Sequence, residues 1–216
     1  MKFRSLVLSV VALLATPAAA TTLYVDGGQS IEGDCTFACA LRYQQAYSSD
    51  LFGSAPILIS SIDFFASRSV SFDGRTFVMR IGTQANAVNN LSTDLSDNLS
   101  NDVVFDTVSD FGFVEAGDQY GFDGAFLYDP SAGDLIIDIL RTEGGQVSMF
   151  NRFNSAAGDT FSRALNFQTD GTGYTTDRYG LVTQFGFEAA DVPEPAAFMI
   201  FGLGLAALGS SRMRRR

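Results

Sequence analysis

The chain is 216 residues long, carries a formal net charge of −10, and contains no histidine and no tryptophan. The missing histidine excludes Ser-His-Asp and Cys-His hydrolases and the usual zinc and copper sites, and a hydrophobic content of 46% excludes a disordered chain. All 24 acidic residues but only eight of the 14 basic ones lie between residues 21 and 195, a net charge of −16 there, which repels phosphate backbones and anionic lipids and argues against nucleic acid as a partner.

At the N-terminus Lys2 and Arg4 precede the apolar run Leu6 to Leu14, and Thr16-Pro17-Ala18-Ala19-Ala20 supplies small residues where a signal peptidase requires them. This is the pattern of a secretory signal peptide over residues 1–20, cut between Ala20 and Thr21. The apolar run is too short for a retained anchor. Residues 21–190 then read as one domain, long enough to bury a core of its own.

Within that domain, short runs rich in Val, Ile, Phe, Tyr and Thr alternate with Gly, Asp, Asn and Ser clusters, and no amphipathic helix exceeds a few turns. Strands are expected over residues 22–26, 57–65, 69–72, 76–81, 102–108 continued through a glycine bulge by 111–115, 124–128, 134–140, 147–153, 160–167 and 179–188. Asp73-Gly74 reads as a hairpin turn, since both positions tolerate positive φ. Asp129-Pro130-Ser131-Ala132-Gly133 reads as another, with proline suited to its first position and glycine to its exit. About nine or ten strands of modest length close most economically as an all-β fold, an antiparallel, jelly-roll-like β-sandwich.

Candidate chemistry is sparse. Cys35 and Cys39 are the only cysteines; an exported location permits a disulfide between them, closing a small structural loop. The polar stretch 89–102 offers Asp94, Asp97, Asn98, Asn101 and Asp102 as hard oxygen donors, the ligand type calcium requires, but lacks the EF-hand spacing. Leu91, Leu95 and Leu99 recur there every four residues, so the plainer expectation is a short helical turn packing on the sandwich. Asp63, Glu115, Asp138, Glu143 and Glu188 could in principle pair as glycosidase carboxylates, yet nothing in their spacing selects a pair; as solvated strand and turn residues they predict no enzyme. Tyr120, Tyr128, Tyr174 and Tyr179 are candidate exposed rings for a carbohydrate platform, while the phenylalanines read as core. No glycine-rich phosphate loop followed by Lys and Ser/Thr occurs.

The tail is the most specific segment. Val192-Pro193-Glu194-Pro195 is followed by the apolar run Ala196 to Leu208 and then by Arg212, Arg214, Arg215 and Arg216. The run has no charged side chain, so as a helix it satisfies its own backbone in lipid, and the arginines hold its end on the cytoplasmic side. Extended to Ser211 it spans about 24 Å against a hydrocarbon core of roughly 30 Å, a short transmembrane helix that leans on arginine snorkelling or bilayer thinning. The prolines around Glu194 keep residues 192–195 extended and accessible to a processing enzyme.

The order Pro193-Glu194-Pro195, apolar helix, arginine cluster over residues 191–216 resembles the PEP-CTERM sorting signal of Gram-negative bacteria. The resemblance implies recognition by an exosortase in the inner membrane, removal of the tail after a transient inner-membrane span, and delivery to the cell surface or extracellular matrix, often in bacteria that make exopolysaccharide. Arg42 to Gly53 leading to the strand at 57–65, and Phe126 to Pro130 leading to Leu135 to Ile139, are similar to the jelly-roll body of many PEP-CTERM proteins, a body with no settled biochemical activity. The expected function is therefore that of an exported, exosortase-processed, non-enzymatic surface or matrix protein associated with exopolysaccharide or biofilm. Its expected partners are signal peptidase and exosortase during export, with exopolysaccharide as a further one; the alternative is a glycan-binding module, with or without calcium.

Overall fold

The computed structural model describes residues 20–26, 30–146, 150–155, 160–167, 174–177 and 179–190. Among them run fifteen strands: β1 Thr21–Val25, β2 Ser30–Cys35, β3 Arg42–Tyr47, β4 Ile57–Phe65, β5 Val70–Ser71, β6 Thr76–Gln84, β7 Leu99–Ser109, β8 Phe113–Val114, β9 Gln119–Tyr128, β10 Leu135–Glu143, β11 Phe150–Ser155, β12 Phe161–Asn166, β13 Tyr174–Asp177, β14 Tyr179–Leu181 and β15 Thr183–Ala189. Three short 3-10 turns, Ser49–Phe52, Leu95–Asn98 and Pro130–Ala132, complete the described elements.

Eight of the strands trace a jelly roll. β1 pairs with β15, β3 with β10, β4 with β9 and β6 with β7, all antiparallel. The first strand of the eight thus pairs with the last, the second with the seventh, the third with the sixth and the fourth with the fifth. Such a nested ribbon, wound on itself, deals its strands into two facing sheets, here β1-β15-β4-β9 and β3-β10-β6-β7. The rest are additions. β12 and β13 extend the second sheet beyond β3 to six strands. β2, from the connection between β1 and β3, pairs with β11, and β11 with β14, both from the connection between β10 and β15, so two distant insertions build a separate three-stranded sheet. β5 and β8 form a short pair of their own.

The period of two along each strand decides which side chains enter the core. β4 sends in Ile57, Ile59, Ile62 and Phe64, β6 sends in Phe77, Met79 and Ile81, and β10 sends in Leu135, Ile137 and Ile139. Register shifts at Ile59/Ser61 and Gly186/Phe187 mark bulges that bend the four-stranded sheet. One end of the core is plugged by Phe37, whose ring centroid lies between 5.2 and 6.5 Å from those of Phe64, Phe77, Phe111, Tyr120 and Phe122. Arg141 fixes that plug, its Nη1 donating to Ala38 O at 3.0 Å and its backbone N–H to Leu41 O at 2.9 Å.

β10 buries Leu135 through Ile139 without alternation, because its outer face is covered as well. Val88, Leu91 and Leu95 of the segment between β6 and β7 lie on Ala46, Ile136 and Ala164 of the six-stranded sheet and form a second core. The leucine repeat therefore packs on the sandwich, as the spacing predicts.

β3 is the central strand that apolar patterning passes over. Its two glutamines are both fully buried and act on opposite faces. Gln44 Nε2 donates to Leu95 O at 2.7 Å, tying down the covering segment. Gln45 faces the other way: its Nε2 donates to Leu181 O at 3.0 Å and its Oε1 accepts Leu181 N–H at 2.8 Å. An amide side chain thus stands in for a strand neighbour where the chain crosses from β14 to β15, and the single strand expected over 179–188 divides at Val182.

Candidate functional site

The first and last described strands bring Thr21 and Ala189 to the same end of the sandwich. Ala20 is exposed and Thr21 is the first residue of β1, paired with Phe187, so a cut between them falls just before the first paired residue. β15 is held on both sides, by β1 and by β4, and its last residue, Ala189, pairs with Ile57. Ala190 N–H then donates to Pro56 O at 3.2 Å. Residues 1–19 and 191–216, including the expected signal peptide, Pro193, Glu194, Pro195, the expected transmembrane helix and Arg212, Arg214, Arg215 and Arg216, lie outside the described residues. Among the described residues no helix is long and apolar enough to cross a membrane.

Near this end, Ser49, Asp50, Gly53, Ser54, Pro130 and Ser131 line a depression of about 170 Å³ between two of the 3-10 turns. That falls below the roughly 300–1,000 Å³ of a small-molecule pocket.

The five oxygen donors proposed for calcium are separated in use. Asp94 caps the 3-10 turn, its Oδ1 accepting the Ser96 hydroxyl and, at 3.1 Å, the Ser96 N–H. Those hydrogen bonds hold its exposed carboxyl below the ordinary value. Asn98 is fully buried and spent on neighbours: Nδ2 donates to Gln44 Oε1 at 2.9 Å and to Ser92 O at 3.0 Å, and Oδ1 accepts Ser92 N–H at 2.6 Å. Asp97 is exposed, Asn101 is exposed with φ 51°, and Asp102 is ion-paired with Arg80. Among the described residues no group of three or more His, Cys, Asp or Glu is placed to hold a metal.

Cys39 is disulfide-bonded. The sequence has one other cysteine, Cys35, whose side chain lies outside the described residues. The loop that follows is a tight turn around Thr36, whose Oγ1 accepts Ala38 N–H at 3.0 Å and whose carbonyl accepts the N–H groups of Cys39 and Ala40. This turn presents Phe37 to the core.

The carboxylates weighed as catalytic pairs are dispersed. Asp138 is buried on the six-stranded sheet and takes a two-point ion pair from Arg42, at 2.8 and 2.9 Å. Glu143 accepts the Thr76 hydroxyl at 3.0 Å at the far end of β10, Glu115 follows β8 in an exposed turn, and Glu188 sits near the end of β15. Asp63 is half-buried on β4, where desolvation chiefly raises its carboxyl above the ordinary value and Asp123 adds to the rise against hydrogen bonds from Gln119 and Ser61.

Two of the four tyrosines proposed as exposed rings turn inward. Tyr120 and Tyr128 are buried, and the Tyr128 hydroxyl donates to Gly133 O at 2.7 Å; both alternate in phase with Phe122, which belongs to the core. The side chains of Tyr174 and Tyr179 lie outside the described residues. Among the described side chains Tyr24 is an exposed tyrosine, 42% accessible, which sequence reasoning missed. Its signal was the alternation Thr22-Leu23-Tyr24-Val25, in which burial of Leu23 and Val25 turns Tyr24 outward.

A family model described as the PEP-CTERM protein-sorting motif matches residues 191–216. The chain carries a PEP-CTERM sorting motif. No curated protein and no solved structure matches the chain. The PEP-CTERM motif marks an exported protein directed to exosortase and sorted to the cell surface. Only Asp191 and Val192 separate Ala190, the last described residue of this segment, from Pro193 of the motif, so in sequence the PEP-CTERM segment follows directly from β15, whose last two residues pair with β4.

Proposed function

We propose that this PEP-CTERM chain is a non-enzymatic protein of the cell surface or extracellular matrix, associated with the exopolysaccharide of the bacterium that makes it. The observation that carries the reading is the junction at Ala190, where an acidic jelly roll runs into a sorting motif with no second domain between them. Signal peptidase removes residues 1–20 and exosortase removes the arginine tail, leaving the sandwich as the delivered cargo. Among the described residues the carboxylates weighed as catalytic pairs are spread over β4, β10, β15 and the turn after β8, which supports a binding or structural role. A net charge of −16 over residues 21–195 favours solubility outside the cell and disfavours nucleic acid and anionic lipid.

Fractionation of the producing cells tests this reading. Wild-type protein is expected in the matrix fraction and to sediment with purified exopolysaccharide, while Glu194→Ala is expected to remain in the inner membrane. Wild-type protein confined to the membrane fraction, or absent from the sedimented polysaccharide, would overturn it.

A further inference from the structure

The outer face of the four-stranded sheet carries an arrangement that neither the core nor the sorting motif uses. Register sets Tyr24, Gln184, Asp63 and Gly121 in one row across β1, β15, β4 and β9, and Thr22, Gly186, Ser61 and Asp123 in the next. Their chain neighbours Val25, Phe185, Ile62 and Phe122 belong to the core, so both rows face outward.

The relief of this face is low for a specific reason. A Cβ on Gly121 would stand closest to the Ile62 carbonyl oxygen and 2.6 Å from Asp63 Oδ1, and one on Gly186 would stand 2.5 Å from Ser61 Oγ. Asp63 and Ser61 therefore lean across the neighbouring strands, over positions that only glycine leaves open. The result is a shelf about 14 Å wide, three strand spacings of about 4.8 Å. Along one side Tyr24 meets Phe65 edge-on, with ring centroids 5.3 Å apart.

The chemistry of the shelf is one-sided. The Asp123 carboxylate acts on Asp63 as a like charge, against hydrogen bonds from Gln119 and Ser61. A half-buried acid facing a second carboxylate, only partly offset by the Gln119 and Ser61 hydrogen bonds, works against the stability of the sheet, and natural chains break such local rules at functional surfaces. Carboxylates only accept hydrogen bonds, whereas the Gln119 and Gln184 amides both donate and accept. Hydroxyl groups supply the missing donors, and the apolar C–H face of a sugar ring suits the exposed ring of Tyr24. An anionic polymer is repelled by the acidic surface. A protein partner would seek a desolvated apolar centre, and the centre of this shelf is polar and floored by glycine.

We infer that this face, with Tyr24, Asp63, Gln119 and Gln184 as its contact residues, binds an uncharged, hydroxyl-rich polysaccharide. The inference rests on the exopolysaccharide-associated reading above and gives it a site.

Affinity electrophoresis of the mature protein tests it, in native gels containing the neutral or the acidic fraction of the producer's own exopolysaccharide. The neutral fraction is expected to retard the protein. Tyr24→Ala and Asp63→Ala are expected to weaken that retardation about tenfold, the loss that follows from a charged hydrogen bond or its equivalent. Asp63→Asn, which conserves shape, serves as the second variant should Asp63→Ala fail to fold, and is expected to weaken retardation at pH 7 and to flatten its dependence on pH. Val104→Ser, an exposed position on the other sheet, is expected to change nothing. Each variant is first matched to wild type by near-ultraviolet circular dichroism. Retardation by the neutral fraction that Tyr24→Ala and Asp63→Asn leave intact would overturn the site and leave the matrix reading standing. Retardation by the acidic fraction alone would overturn the uncharged ligand, and retardation by neither would overturn both the site and the matrix reading.

Discussion

Replacing Gln45 with methionine keeps the volume of the side chain and removes its amide, which makes it a direct probe of how the jelly roll is joined. Gln45 Oε1 accepts two hydrogen bonds, from Leu181 N–H at 2.8 Å and from the Tyr43 hydroxyl, and Nε2 donates to Leu181 O at 3.0 Å. In the variant Leu181 O keeps the Thr183 hydroxyl at 2.9 Å, but Leu181 N–H loses its acceptor in a site where Gln45 and Leu181 are both essentially inaccessible to water. An orphaned buried donor costs about 1–3 kcal/mol, and the lost bond from Tyr43 adds about 1 kcal/mol. The expected loss is therefore about 2–4 kcal/mol, a large share of the roughly 5–15 kcal/mol that stabilises a typical domain. Equilibrium unfolding in urea reads it as a midpoint lowered by about 1–2 M at unchanged slope. A loss under about 0.5 kcal/mol would refute the claim that this side chain replaces a strand neighbour at the crossing from β14 to β15.

Phe37→Ala removes a ring that is 1% exposed and in contact with five others, and is expected to cost about 3–5 kcal/mol in the same urea assay; a loss of 1 kcal/mol or less would mean the plug is dispensable. Cys39→Ser opens a loop of five residues counted from Cys35 and is expected to cost about 2 kcal/mol by loop entropy, while thiol labelling of the native exported protein is expected to modify neither cysteine; labelling of both would contradict the pairing. Asp63→Asn is expected to raise stability at pH 7. The folded carboxyl sits above its ordinary value of 3.8, so the native state binds the proton more tightly than the unfolded one, and wild-type stability falls as pH rises from 3.8 through the folded value. The gap between variant and wild type should close as pH falls below about 4, and a gap that widens there would contradict the assignment.

Strands with one covered face were legible in the sequence because alternation survives in them. Ile57-Leu58-Ile59 and Ile62-Asp63-Phe64 gave β4 its full range, and Asp73-Gly74 and Gly133 stand at turns, with Gly74 at φ 67° and Gly133 at φ 127°. β3 escaped because a central strand covered on both faces can hide polar side chains if each finds a partner, and Gln44 and Gln45 do. The nesting of strands could not be read from pattern alone, since β1 and β15 are joined by register across the whole domain. In the segment 89–102, charge and amide content suggested ligands, yet Asn98 serves as a buried staple; an amide that both donates and accepts suits that role as well as it suits a metal. The tail was legible as a motif, because its order of proline, apolar run and arginine is carried by sequence alone.

The central claim is that the chain is cargo, a jelly roll freed of both its ends on the way to the surface. Intact mass of the protein recovered from the culture medium and cell envelope tests it most directly. The account predicts a mass lacking residues 1–20 and the arginine tail, with any added mass identifying an attachment made at the cut. A mass that retains Arg216 would mean a simple membrane anchor and would contradict the account.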